Sequence, residues 1–266
     1  MGVVNVTPDS FSDGGDNLDP TVAVATARRL RDDGAALIDV GGESTRPGAD
    51  AVSVEEELGR VLPVLDQLAG IPVSIDTSKA EVARQALGAG ALLVNDVTAL
   101  RGDPGLAGAI ADAGAYVCLM HMQGEPRTMQ VAPRYDDVVE EVAGFLEERL
   151  AVAVAAGIPE DHVCLDPGIG FGKTPDQNLE LIRGLERLCR IGRPVLVGLS
   201  RKSTLARVLG AQPLGGPSAK VGSDAASVGA AVAAFDRGAT IFRAHAVAAH
   251  VEALAAAAAV ERGSVT

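Results

Sequence analysis

The stretch PVSIDTSKAEVARQALGAGALLVND, residues 72–96, contains one complete repeat of the pattern that decides the fold. A short apolar run comes first, an amphipathic run ending at glycines suited to a helix C-terminus follows, and a second apolar run closes it. The apolar runs carry polar residues at their ends, Asp76 in the first and Asn95 in the second. Strand, helix and strand in this order predict a parallel β-α-β unit.

The pattern recurs on both sides of this unit. Eight short runs, GVVNV, ALIDV, PVSID, LLVND, YVCLMH, HVCLD, PVLVGLS and TIFRAH, are separated by amphipathic stretches such as DPTVAVATARRLRDDG and SVEEELGRVLPVLDQLAG. Near-continuous apolar strands joined by helices imply a parallel sheet buried on both faces. Eight units in 266 residues match the size of a (β/α)8 TIM barrel. The expectation is therefore one α/β domain spanning 1–266, with a doubly wound open sheet as the alternative that the same alternation allows.

Hydrophobic residues make up 47% of the chain, and linkers and low-complexity tracts are absent apart from an alanine run at 255–259. This is the composition of a soluble globular chain. Its 23 basic and 35 acidic residues repel phosphate backbones and anionic lipid, which argues against nucleic-acid and membrane partners. Cys118, Cys164 and Cys189 are odd in number and lack C-x-x-C spacing, as expected of unpaired core thiols in a reducing compartment. The opening MGVVNVTPDS has neither a basic n-region nor a signal-length apolar run, so the expected location is cytoplasmic.

Polar groups mark the strand ends: Asn5, Asp39, Asp76, Asn95, His121, Asp166, Ser200 with Arg201 and Lys202, then Arg243 and His245. In a barrel they face the C-terminal mouth, where βα loops build active sites. The plainer reading is that each caps the next helix, as Asp and Asn often do. Capping does not account for Lys202, Arg243 or His245, because cations are disfavoured at helix N-termini. Asp76, Asn95 and Asp166 together suit a flat heterocycle with an amino-pyrimidinone edge, purine-like or pterin-like, since carboxylates accept paired N–H donors and an amide offers both donor and acceptor. Arg201 and Lys202 on the strand-seven side, with Arg243 and His245 on strand eight, face the region where barrels commonly bind phosphate, so the ligand is expected to carry an anion. Asn5 and Asp39, near the same rim, are candidates to hold Mg²⁺ through oxygens and waters. His162 and His250 read as surface residues.

Three loops stand out. TPDSFSDGG, residues 7–15, and GGESTRPGA, residues 41–49, have the length and composition of substrate lids. SDGG and RPG are also ordinary turn signals, under which Arg46 is a solvated loop charge. The third, DPGIGFGKT at 166–174, has the look of a nucleotide loop but fits neither standard pattern. The Walker pattern requires glycine where Pro167 stands, and glycines at 168, 170 and 172 miss G-x-G-x-x-G.

The motifs NVTPDSFSDGG, IDVGGESTRPGA, SIDTSKAEVA, VNDVTAL, LMHMQGEPRTMQ, LDPGIGFGKT and GLSRKS, in that order, resemble the bacterial dihydropteroate synthases over almost the whole chain. That family joins 6-hydroxymethyl-7,8-dihydropterin pyrophosphate to p-aminobenzoate, releases pyrophosphate, and is the target of sulfonamide drugs. The resemblance implies that Asp76, Asn95 and Asp166 bind the pterin, with Phe171 beside the bound rings and Lys202 reaching the pterin as well. It implies that Arg243 and His245 anchor pyrophosphate, that Asn5 is the Mg²⁺-linked asparagine and that Asp39 lies beside the reacting methylene. Phe11, Thr45, Arg46, Pro47, Lys202 and Ser203 correspond to the aminobenzoate site. The implied catalytic set is Asp39, Asp76, Lys202, Arg243 and His245, with small-molecule substrates and a homodimer formed mainly through late helices.

One departure concerns the last strand, which reads RAHAV where the family commonly has R-V-H-D-V, so Ala246 stands beside His245 and the orientation of that ring is left open. The alternatives are a catalytically silent pterin-binding homologue and a pterin-dependent methyltransferase domain. The latter has no need of the SRK and R-x-H anion groups or the ESTRPG lid.

Overall fold

The computed structural model describes residues 1–7, 18–45, 50–124, 128–210 and 223–264. Strands β1 (Gly2–Asn5), β2 (Ile38–Gly41), β3 (Val73–Asp76), β4 (Leu93–Asp96), β5 (Tyr116–Met120), β6 (Val163–Asp166), β7 (Leu196–Gly198) and β8 (Ile241–Arg243) fall on the eight apolar runs, with β2 running one residue past its run to Gly41. Helices α1 (Pro20–Asp32), α2 (Val54–Leu65), α3 (Ala80–Gly88), α4 (Leu106–Ala113) and α5 (Val138–Ala155) follow the first five strands in turn. The short α7 (Leu185–Cys189) follows α6 (Pro175–Arg183) after β6, α8 (Ser203–Val208) and α9 (Asp224–Phe235) follow β7, and α10 (Val247–Arg262) follows β8.

The side-chain caps come from Asp19, Ser53, Asp137, Thr174 and Ser223, each accepting a backbone N–H in the first turn of its helix. Thr174 and Gln177 form a full capping box at α6. None of these residues belongs to the strand-end polar set, so capping does not explain that set.

Strands β1 to β6 pair in parallel in sequence order, and β7 pairs with β8. Two further bridges close the ring. Leu165 pairs with Val195, with the Leu165 N–H donating to Pro194 O at 2.9 Å, and Gly2 pairs with Ala244, whose N–H donates to Met1 O at 2.9 Å. A doubly wound sheet would reverse its strand order and keep two open edges, so this closed sequential order is a barrel.

Side chains alternate across the barrel wall, as the two-residue period of a strand requires. Val4, Ile38, Val40, Ile75, Val94, Val117, Leu119 and Leu165 are buried in the main core with the helix faces. Full burial of each such side chain contributes about 1.5–3 kcal/mol. Cys118, Cys164 and Leu196 form a separate apolar cluster with Met1, Leu93 and Ile241. These residues alternate with the outward-facing set, so they fill the barrel interior and force the remaining interior positions, Asp39, Ser74, Asp76, Asn95 and Asp166, toward the mouth. All five are buried.

Two histidines correct the sequence reading. His250 is buried at 4% exposure, its Nδ1 2.8 Å from the O of Ala246, the residue just before α10, and His162 is half-buried with its ring 4.4 Å from that of Tyr116. Among the described residues no helix is long and apolar enough to cross a membrane.

Candidate active site

Asp39 organises the floor of the mouth. It is fully buried and sits at the second position of β2, level with Val3 and Ser74, whereas Gly41 is level with Asn5 and Asp76. The expectation that Asp39 shares the rim with Asn5 is thus corrected: it lies two residues deeper. One carboxylate oxygen accepts from the Ser74 hydroxyl, and the other accepts from Asn95 Nδ2 at 3.2 Å and Arg243 Nε at 2.6 Å. Hydrogen bonds of this kind make a buried carboxylate tolerable.

Asp76, Asn95 and Asp166 stand above this floor at the ends of β3, β4 and β6, and each is tethered at one atom. Arg243 Nη2 donates to Asp76 Oδ2 at 3.0 Å, Asn95 Nδ2 donates to Asp39, and Asp166 Oδ1 accepts the Gly168 N–H at 2.7 Å. Their other terminal oxygens, Asp76 Oδ1, Asn95 Oδ1 and Asp166 Oδ2, have no hydrogen-bond partner among the described residues. Three side chains are therefore fixed in position, and each presents one acceptor oxygen that no protein group among the described residues occupies. Burial, reinforced by the Asp39 charge, pushes the Asp76 carboxyl up to about 8 despite Arg243. Burial also raises Asp166, against the Gly168 hydrogen bond and the nearby Lys202 and Lys173 ammonium groups.

The cations line the opposite wall. Burial alone would lower the Arg243 guanidinium pKa, but Asp39 and Asp76 outweigh it and raise it. Lys202 places Nζ 4.4 Å from the centroid of the Phe171 ring, a cation–π arrangement that brings together two expected site residues. His245 is oriented by Ser200: its Nδ1 lies 2.9 Å from Ser200 Oγ, which also accepts the His245 backbone N–H at 3.2 Å. This answers the question raised by Ala246, because the hydroxyl of Ser200 holds the ring. Arg201, expected on the anion side, turns instead toward α9, donating to both Asp224 oxygens at 2.9 and 3.2 Å from a backbone with φ of 57°.

The Asn5 carboxamide makes no hydrogen bond among the described residues, so its oxygen is available to a hard cation. Asp39 is not, since both its oxygens are engaged below the rim. No group of three or more His, Cys, Asp or Glu among the described residues is arranged to hold a metal. The donor set fits a Mg²⁺ ion that takes one protein oxygen and completes its shell with water and phosphate, and does not fit an all-protein cage.

Of the aminobenzoate candidates, Thr45 is half-buried and Ser203 is exposed at the start of α8, while Phe11, Arg46 and Pro47 lie outside the described residues. The structure adds partners that sequence reasoning missed. Ser74 sits one strand residue pair below Asp76, on the same face, and period-two counting from Asp76 would have found it. Lys79 joins Glu57, which is fully buried, to Glu43, and Glu43 also accepts the Val52 N–H at 3.1 Å, so residues 43 and 52 are held together. No local pattern signals that network.

Comparison with known proteins places this geometry among relatives. The family model described as "Pterin binding enzyme" matches residues 1–245. The chain is 47% identical over 257 residues to the dihydropteroate synthase of Escherichia coli strain K12, covering 96% of this chain and 88% of that one. Its structure is similar to the Yersinia pestis dihydropteroate synthase in a sulfonamide drug complex, with a TM-score of 0.92, 45% identity, and coverage of 98% of this chain and 94% of the other. It is also similar to the Xanthomonas albilineans dihydropteroate synthase in complex with 7,8-dihydropteroate, with a TM-score of 0.84, 47% identity, and coverage of 98% and 92%.

Proposed function

The chain belongs to the dihydropteroate synthases, a family of pterin-binding enzymes, and we propose that Asp76, Asn95 and Asp166 hold the pterin of its substrate while Arg243 and His245 hold the departing pyrophosphate. The reaction is the transfer that condenses 6-hydroxymethyl-7,8-dihydropterin pyrophosphate with p-aminobenzoate to 7,8-dihydropteroate. The observation carrying this division of labour is the trio of tethered side chains, each presenting one oxygen without a partner among the described residues. A pterin edge supplies the N–H donors that such oxygens lack.

The exocyclic C–O bond breaks ahead of full nucleophilic attack, with its electron pair leaving on pyrophosphate. The amine of p-aminobenzoate then attacks the methylene carbon and loses a proton. Arg243 favours departure: Nε and Nη2 are engaged with the two aspartates, and Nη1 has no partner among the described residues, leaving it for the anion. We assign the Asp39 carboxylate, below the rim, to stabilising the positive charge that develops on the pterin, with the Asp76 carboxyl, raised to about 8, contributing in its ionised form. Asn5 would hold a Mg²⁺ ion, which would supply charge neutralisation for pyrophosphate when bound. We assign Lys202 and Phe171 to the wall shared by the pterin and p-aminobenzoate, with Thr45 and Ser203 beside it; Phe11, Arg46 and Pro47, which the family resemblance gives to the same site, lie outside the described residues.

The Yersinia pestis relative, solved in a sulfonamide drug complex, supports the further expectation that a sulfonamide binds this chain. The family resemblance supports a cytoplasmic homodimer paired through its late helices, and sedimentation of the purified chain tests the pairing. The deciding experiment is pyrophosphate release from the pterin pyrophosphate with Mg²⁺, with and without p-aminobenzoate. Release that depends on p-aminobenzoate, together with dihydropteroate formation, is expected. Pterin binding without turnover would assign the chain to the silent homologues instead.

A further inference from the structure

DPGIGFGKT has the residues of a phosphate loop turned inside out. Lys173 is buried at 2% exposure, and its ammonium points into the protein, toward Gly168 O at 3.0 Å, Phe171 O at 2.9 Å, His121 O at 3.4 Å and His121 Nδ1 at 2.9 Å. A phosphate loop aims N–H groups at an anion, whereas this loop aims carbonyls at a cation.

The glycines make that geometry possible. Gly168, Gly170 and Gly172 have φ of 67°, 85° and 62°, in the left-handed region. A Cβ on Gly168 would lie 1.9 Å from His121 O, and one on Gly172 would lie 2.6 Å from Gln123 O, so the loop after β6 presses its backbone directly onto the loop after β5. Other carbonyls and N–H groups of the loop are matched from outside: Gln130 donates to Gly170 O at 2.7 Å, Tyr135 to Gly172 O at 2.8 Å, and Asn178 accepts the Gly170 N–H at 2.8 Å. Among the described residues, Lys173 alone bridges the two loops through a charged group. On the mouth side, Lys202 lies against the same loop, with its Cδ 3.3 Å from the position a Gly170 Cβ would take.

We infer that Lys173 is a positioning residue of the pterin pocket, whose ammonium clamps the loop after β6 onto the loop after β5 and so keeps Asp166 and Phe171 in place at the mouth. Without it, Phe171 O and His121 O would lose the donor they share, and the loop would open to admit water. Burial lowers the lysine pKa to about 7, with the Asp166 carboxylate opposing, and burial together with Lys173 and Arg101 lowers His121 to about 2, which keeps that imidazole neutral as an acceptor. Lys173 touches no reacting atom. Its effect reaches the substrate through Asp166, two residues before Gly168, and through Phe171, two residues before itself.

The inference rests on the pterin-pocket reading, and the test separates the two. Binding of 6-hydroxymethylpterin is measured by its fluorescence for the wild-type chain, Lys173→Met and Lys173→Arg, well below each protein's melting temperature. Lys173→Met is expected to raise the pterin Kd about tenfold, the loss for buried groups left unpaired, and Lys173→Arg to recover part of it. A folded Lys173→Met chain that melts earlier but binds pterin within about threefold of wild type would make the lysine structural only and overturn the inference. Should Lys173→Met not fold, the Lys173 side-chain ¹⁵N resonance of the wild type decides: it is expected to shift on pterin addition, and an unmoved resonance overturns the inference. Failure of the wild-type chain to bind pterin would instead overturn the reading on which it rests.

Discussion

Arg243 and Asp39, separated by 204 residues in sequence, meet at 2.6 Å inside the barrel, and the same guanidinium reaches Asp76 at 3.0 Å. One planar cation thereby holds two buried carboxylates and a face toward the anion site. Arg243→Ala leaves the buried Asp39 carboxylate without its counter-charge and Asp76 without its donor, so it is expected to cost about 3–5 kcal/mol of stability by denaturant unfolding. Arg243→Lys keeps the charge but, as a point donor, cannot bridge both carboxylates and also meet pyrophosphate. It is expected to fold and to lose about 10²-fold or more in pyrophosphate release.

The Ser200 to His245 contact predicts a loss of rate without a loss of fold. Ser200→Ala removes the oxygen that both the imidazole and its backbone N–H use. Melting is expected to change little, while kcat falls by roughly 10- to 10²-fold, because a misplaced catalytic group costs rate steeply. Unchanged kcat would show that another contact orients His245.

Asp76 gives a pH signature. Its carboxyl pKa rises from 3.8 to about 8 on folding, so the native state holds a proton that the unfolded chain gives up. Stability from this group is full below pH 4 and is lost as pH rises toward 8. Asp76→Asn cannot titrate and lacks this loss. Thermal melts of the unliganded proteins should show the variant gaining on wild type as pH rises through this window, while its pterin affinity falls at every pH.

Two glycines should respond in opposite ways to the same change. Gly168→Ala puts a methyl 1.9 Å from His121 O at a φ of 67°, and is expected to unfold the mouth or the whole chain. Gly108 lies within α4 with nothing within 4 Å of its Cβ position, so Gly108→Ala is expected to stabilise by about 0.5–1 kcal/mol, read from melting curves.

The sequence determined the eight strands and the side of the barrel on which chemistry occurs. Period-two alternation and polar strand ends are local properties of the chain, and Asp76, Asn95, Asp166, Lys202, Arg243 and His245 could be picked out from them. The depth of Asp39, two residues below the rim, depended on strand register, which arises only when β2 pairs with its neighbours. Tertiary structure alone decided what Lys173 and Ser200 do. A lysine after three glycines has the same sequence signature whether it faces a phosphate or a nest of carbonyls. Its direction is set by contact between the loops after β5 and β6, whose residues His121 and Lys173 lie 52 apart in the chain. The burial of His250 had the same origin, because a helix reveals its inner face only once the barrel it packs on has closed.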